Sequence, residues 1–122
     1  MPTVTAARPT REKKTSKFRT LEELAQLIIR LKGRGKRVVL CHGVFDLLHI
    51  GHIRHFEQAR RLGDVLVVTV TPDPFVNKGS HRPVFPEQLR GEAIAALDAV
   101  NYVAINRWPT AEETIRLLKP DI

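Results

Sequence analysis

A chain of 122 residues, 43% hydrophobic and 27% charged, is long enough for one domain around one modest core and has ordinary globular composition. No apolar run approaches the roughly 20 residues needed to cross a bilayer, and the N-terminus lacks the apolar core of a secretory signal, so a cytoplasmic protein without membrane contact is expected. The net charge of +7 would suit a nucleic-acid binder if it were spread over the fold, but residues 1–19 hold five of those charges and residues 20–122 only two.

The first stretch sets Arg8, Arg11, Lys13, Lys14, Lys17 and Arg19 against Glu12, with Pro2, Pro9 and several threonines, the makeup of a basic disordered tail over 1–19. Nucleic acid is therefore not an expected partner. Folding is expected from Thr20 to the end at 122, beginning with Thr20-Leu21-Glu22-Glu23, which has the form of a capping box. Leu21, Leu24, Ala25, Ile28 and Leu31 recur at helical spacing and predict a helix over 21–32, stopped by Gly33 and Gly35 before a strand over 37–41. The single cysteine, Cys41, ends that strand; with no second cysteine for a disulfide or a thiolate metal cluster, it reads as a small core residue.

Gly43-Val44-Phe45-Asp46-Leu47-Leu48-His49-Ile50-Gly51-His52 follows, in the order strand, tight loop, helix. Two imidazoles three residues apart at a helix start place ring N–H donors beside the unpaired backbone amides of the first turn, a site suited to phosphate oxygens. A triphosphate attacked at its α-phosphorus gathers negative charge on its oxygens, so the protein must supply positioned donors rather than a nucleophile. His49 and His52 fit that part. The alternative is that they only cap the helix while the glycines only turn the chain. Asp46 either orders the turn by accepting backbone N–H bonds or meets magnesium or substrate.

Next, Ile53, Phe56, Ala59 and Leu62 form an apolar stripe on a short helix that Gly63 caps. Asp64 then leads into Val65-Leu66-Val67-Val68-Thr69-Val70, a β-branched run typical of a strand covered on both faces. Thr71-Pro72-Asp73-Pro74 stops the strand at its carboxyl end, where open parallel sheets bind ligands, and the stretch to Phe85 supplies Lys78 and Arg82 beside Gly79. A helix is expected after Pro86 with Leu89, Ala93, Ala96, Leu97 and Val100 on its buried face, then a strand over 102–105. Thr110-Ala111-Glu112-Glu113 reads as a second capping box, opening a last helix that ends near Lys119. Strands alternating with helical periodicities predict an α/β fold, a Rossmann-like parallel sheet flanked by helices.

The G-x-F-D turn joined to the H-x-G-H pair resembles the signature of the cytidylyltransferase-like nucleotidyltransferases. A weaker likeness covers Thr20 to Leu24, and a further one covers Lys78-Gly79, Arg82-Pro83-Val84 and Arg90 ahead of Val100-Asn101-Tyr102-Val103. Within that family the chain is similar to the adenylyltransferase part of bifunctional heptose kinase/adenylyltransferases and to glycerol-3-phosphate cytidylyltransferases. The resemblance implies transfer of a nucleoside monophosphate from ATP or CTP to a phosphorylated sugar or polyol, with release of pyrophosphate. It implies that Gly43, Val44, Phe45 and Gly51 hold the nucleotide, that His49 and His52 hold its phosphates, and that Lys78 holds the departing pyrophosphate. Arg82 and Arg90 are then secondary site residues or plain surface charges. Magnesium is expected to arrive on the triphosphate, with no protein metal site, since His42 and His55 lack companions for one.

The resemblance also implies a homodimer and a sugar kinase domain fused to this one or working with it. The family continues past Pro120-Asp121 with a further strand and a Ser/Thr-rich segment, so the expectation is a domain incomplete at its C-terminus. Two departures stand out: Asn101 in place of an acidic residue, and Cys41-His42 in place of small polar ones. H-x-G-H alone also occurs in class I aminoacyl-tRNA synthetases, which leaves an adenylate-forming fragment as one alternative. A non-catalytic nucleotide-binding or RNA-binding module is another.

Overall fold

The computed structural model describes residues 16–76 and 83–122. Among these, β1 (Val38–Gly43), β2 (Val65–Val70) and β3 (Tyr102–Ile105) form a parallel sheet in the order β1-β2-β3. Val38 pairs with Val65 and Val67 with Tyr102, so the three strands end together at Gly43, Val70 and Ile105. Helices α1 (Leu21–Gly33), α2 (Ile50–Arg60), α3 (Glu87–Ala95) and α4 (Glu112–Leu118) flank it, and Asp73–Phe75 forms a short 3-10 turn.

Strand alternation divides the core. Val38, Val65, Val67 and Ala104 pack with Leu21, Leu24 and Ile28 of α1 and Leu118 of α4. Val39, Cys41, Leu66, Val68, Val70 and Val103 point the other way, onto Phe56 and Ala59 of α2 and Ile94 and Ala95 of α3. β2 is buried along its whole length because both faces are covered. The capping box of α1 is present: Glu23 N–H donates to the Thr20 hydroxyl at 3.1 Å, and Thr20 N–H donates to the Glu23 carboxylate at 2.8 Å. Both sheet edges receive chain, through Arg19 N–H on Val103 O at 2.8 Å and Leu40 N–H on Ile122 O at 3.1 Å.

Several boundaries differ from expectation. Residues 17–19, assigned above to the tail, belong to the fold: Phe18 bridges to Val103, its ring packs on Gly91, and Lys17 donates to Leu97 O. β1 runs two residues past Cys41, because His42 and Gly43 stay in register with Thr69 and Val70. α2 stops at Arg60, leaving Leu62 55% exposed, and Arg61 rather than Gly63 is its C-terminal cap. The second capping box does not form. Asn106 instead draws that loop inward, donating to Trp108 O and Thr110 O and accepting from the Thr114 hydroxyl, and α4 begins with no side-chain cap at Ala111.

α3 is turned from the expected face. Leu89 is 50% exposed and Ala93 and Ala96 face solvent, whereas Arg90, Gly91, Ile94 and Ala95 are buried. Gly91 allows the approach of Phe18, and Arg90 is consumed at the carboxyl end of the sheet, which together set the rotation of the helix.

Gly63 is required by packing rather than by capping, since a Cβ there would lie 2.7 Å from Arg37 O and 2.8 Å from a Val39 methyl. Gly63→Ala is expected to destabilise the fold by about 1–3 kcal/mol, the usual cost of overpacking against backbone. Urea unfolding should show a lower midpoint with an unchanged slope; an unchanged midpoint would contradict this packing.

Candidate active site

The loops leaving β1, β2 and β3 meet at one edge of the sheet, and the turn after β1 is shaped by its own side chains. Phe45 has φ of 50°, a left-handed conformation that is costly for a bulky aromatic residue. Its ring folds back over Gly43, where a Cβ would sit 2.8 Å from the ring, and packs edge-on against His52 and Phe56 at centroid distances of 5.6 and 5.1 Å. The burial of that ring and its two aromatic neighbours offset the backbone strain.

α2 begins at the double-histidine motif. His49, in extended conformation, is its N-cap, and Gly51 N–H donates to His49 Nδ1 at 3.0 Å. In return His49 N–H donates to His52 Nδ1 at 3.3 Å. This is a capping box built from two imidazoles, whose rings lie 4.0 Å apart. Gly51 is the residue that allows it, because a Cβ there would be 2.7 Å from His49 Cε1.

The capping has a chemical consequence. A backbone N–H can only donate, so each Nδ1 must accept and the neutral rings carry their hydrogen on Nε2. Capping and phosphate recognition are therefore compatible: one nitrogen of each ring holds the helix, and the other is the ring's donor. His49 is exposed and His52 half-buried, at a helix N-terminus with no acidic side chain in its first turn.

Asp46 and Arg90 tie this turn to its neighbours. Asp46 reaches across to a neighbouring segment. Its carboxylate accepts from Val84 N–H at 2.8 Å and Phe85 N–H at 2.9 Å, on the segment ahead of α3. Arg90, expected as a secondary site residue or a surface charge, is 1% exposed. Its guanidinium donates to Phe85 O at 2.9 Å, to Val44 O and Thr71 O at 2.8 Å each, and to Asp73 at 2.6 Å. That arrangement leaves it in no position to hold a substrate. Thr71, Asp73 and Phe85 were expected only as parts of the loop after β2, not as partners of Arg90; the Asp73-Pro74 turn and Phe85 before Pro86 were the available signals. Lys78 and Arg82 lie outside the described residues.

The remaining imidazoles lie beside β1, His42 half-buried and His55 exposed. Burial pushes the Cys41 thiol up, and His55 Nε2 lies 3.8 Å from its sulfur. Asn101 serves as an acidic residue would, accepting from Leu66 N–H at 2.8 Å. His42 shares Nδ1 with the Thr69 hydroxyl at 2.9 Å and Nε2 with the Thr71 hydroxyl at 3.5 Å, and burial holds its pKa below the ordinary 6.5.

Because the unfolded chain takes up that proton more readily than the native one, the stability His42 contributes is present above about pH 6.5 and is lost as pH falls through the lower native value. Thermal melts between pH 7 and pH 5 should show a falling midpoint, with a shallower fall in His42→Gln. Equal slopes in the two proteins would contradict a buried neutral imidazole.

Residues 40–122 match the family model described as cytidylyltransferase-like. The bifunctional protein HldE of Citrifermentans bemidjiense is 44% identical over 109 residues, covering 88% of this chain and 22% of that protein. HldE of Nitratiruptor is 42% identical over 118 residues, covering 94% of this chain and 26% of that protein. The chain thus spans about a quarter of the length of these relatives. The crystal structure of the lipopolysaccharide core biosynthesis protein from Thermoplasma volcanium matches with a TM-score of 0.62 at 34% identity over 71% of each chain. The matched region contains the strand, the strained turn and the histidine-capped helix described above, and the chain belongs to the cytidylyltransferase-like family.

Proposed function

We propose that this domain transfers a nucleoside monophosphate from ATP or CTP to a phosphorylated sugar or polyol, in the manner of a heptose-1-phosphate adenylyltransferase. A phosphate oxygen of the acceptor attacks the α-phosphorus in line, the bond to the bridging oxygen breaks, and pyrophosphate leaves without a covalent enzyme intermediate. The observation that carries this reading is the reciprocal cap, which holds two imidazoles at a helix N-terminus as Nε2–H donors. Donors fixed before the reaction lose no energy to reorganisation as charge develops on the phosphate oxygens. In this reading the turn at Gly43, Val44 and Phe45 cradles the nucleotide, Gly51 leaves room for the His49 ring, and Lys78 meets the departing pyrophosphate.

Magnesium fits as a companion of the triphosphate. Among the described residues no group of three or more His, Cys, Asp or Glu side chains could hold a metal, and the Asp46 and Asp73 carboxylates are engaged with backbone amides and Arg90. Bound through phosphates and water, it would neutralise charge on the leaving group.

The HldE relatives and the lipopolysaccharide-core neighbour support a sugar phosphate as acceptor and a sugar kinase as the companion domain. No observation favours a synthetase fragment or an RNA-binding module. Among the described residues no helix is long and apolar enough to cross a membrane, and the reading places the enzyme in the cytoplasm. A homodimer belongs to the same proposal, supported by apolar surface at Phe75, Val84, Phe85 and Leu89, and a monomer in light scattering at high micromolar concentration would remove it.

The test of the reaction is a pyrophosphate-release screen of the longer natural polypeptide, with ATP and CTP against sugar 1-phosphates and polyol phosphates. Release with ATP and a heptose 1-phosphate is expected; no release with any pair would overturn the reading. In the active protein, His49→Ala and His52→Ala should each lower kcat by about 10²- to 10³-fold, with a much smaller change in triphosphate affinity. Lys78→Ala should raise the triphosphate KM as well as lower kcat, while His55→Ala should cost little. If both motif variants keep more than about a third of wild-type turnover, the pair only caps the helix.

A further inference from the structure

Arg90 is the largest side chain among the fully buried described residues, and only 1% of it is exposed. Burying a guanidinium is costly unless its donors are matched, and here they are matched to four acceptors on three segments of the chain. Val44 O lies in the turn after β1, Thr71 O just beyond β2, Asp73 on the 3-10 turn and Phe85 O before α3. Asp46 closes the circuit from the opposite side, because the Phe85 whose carbonyl is held by Arg90 donates its own N–H to the Asp46 carboxylate. The planar guanidinium fork suits this divergent set of acceptors, whereas an ammonium would serve fewer of them in one place.

The bond from Arg90 to Val44 O falls one residue before Phe45, whose positive φ gives the turn its shape. The Asp46 bonds fall one residue after it. The strained residue is therefore held on both sides, and a strained conformation persists only where its surroundings over-determine it. The same clasp fixes Val84 and Phe85, which lead into α3, relative to the phosphate-facing turn.

From this geometry we propose that Arg90 and Asp46 are a pair of positioning residues, a buried clasp that holds the Gly43–Asp46 turn in its strained, nucleotide-cradling shape without touching substrate. The consequence for catalysis rests on the nucleotidyltransferase reading; the clasp itself does not. Arg90→Lys keeps the charge but loses the fork, so the turn relaxes by a fraction of an ångström or more. Such a displacement at a site that depends on alignment costs about 10²-fold.

The experiment uses the active full-length protein and its variants Arg90→Lys, Asp46→Asn and the double substitution. Each single variant is expected to raise the triphosphate KM and lower kcat, for a loss in kcat/KM of about 10- to 100-fold. The double variant should be within about threefold of the worse single one, because both residues act through the same clasp. Losses that multiply in the double variant, or an Asp46→Asn defect repaired by higher magnesium, would show that Asp46 acts on the metal or substrate and overturn the pairing. A drop in active protein with unchanged KM would reduce both residues to general stabilisers and also overturn it. Amide hydrogen exchange of Val84 and Phe85, measured without nucleotide, reads the clasp independently of any reaction. Exchange at least tenfold faster in Arg90→Lys supports the clasp even if no nucleotide proves to be a substrate, and unchanged exchange overturns it even in an active enzyme.

Discussion

The hydrogen bond from Gly51 N–H to His49 Nδ1 is the contact on which the site depends. It starts α2, it assigns the acceptor nitrogen of the ring, and through the return bond from His49 N–H it extends the same assignment to His52. An ordinary cap of aspartate would satisfy the helix equally well and leave no donor, since an ionised carboxylate only accepts. Imidazole differs because its two nitrogens lie on opposite sides of the ring, so holding the helix with one sets the hydrogen on the other.

That arrangement is useful only in its place on the sheet. Parallel pairing in register brings the ends of β1, β2 and β3 to one edge, so the turn after β1, the Thr71–Phe75 stretch and the Asn106 loop become neighbours. The two core layers anchor the edge from below, with Phe56 linking α2 to the sheet and to Phe45 in the turn. The histidine pair, the strained turn and the buried arginine thus share one set of packing constraints.

Much of this was legible in the residues. The β-branched run Val65–Val70 and the apolar Tyr102–Ile105 announce themselves as strands, and a motif that couples turn, histidine spacing and glycine places the site. The burial of Arg90 was not legible, because hydropathy assigns an arginine to the solvent face and its acceptors at Val44, Thr71 and Phe85 are remote in sequence or unremarkable. The rotation of α3 went astray for the same reason. The positive φ of Phe45 has no signal in a phenylalanine, and the docking of Phe18 was hidden in a stretch whose composition is that of a tail. The second capping box failed because the Asn106 side chain competes for the same loop, a long-range effect that a four-residue pattern does not contain.

In the proposed reading, helix capping and phosphate recognition are divided between the two nitrogens of each motif histidine. Long-range proton–nitrogen correlation spectra of the imidazoles, recorded on the free protein with both rings neutral, test it most directly. The account predicts that His49 and His52 both carry their hydrogen on Nε2, with Nδ1 showing the shift of a hydrogen-bonded acceptor. A hydrogen on Nδ1 of either ring would contradict it, since that nitrogen could not then accept from the backbone.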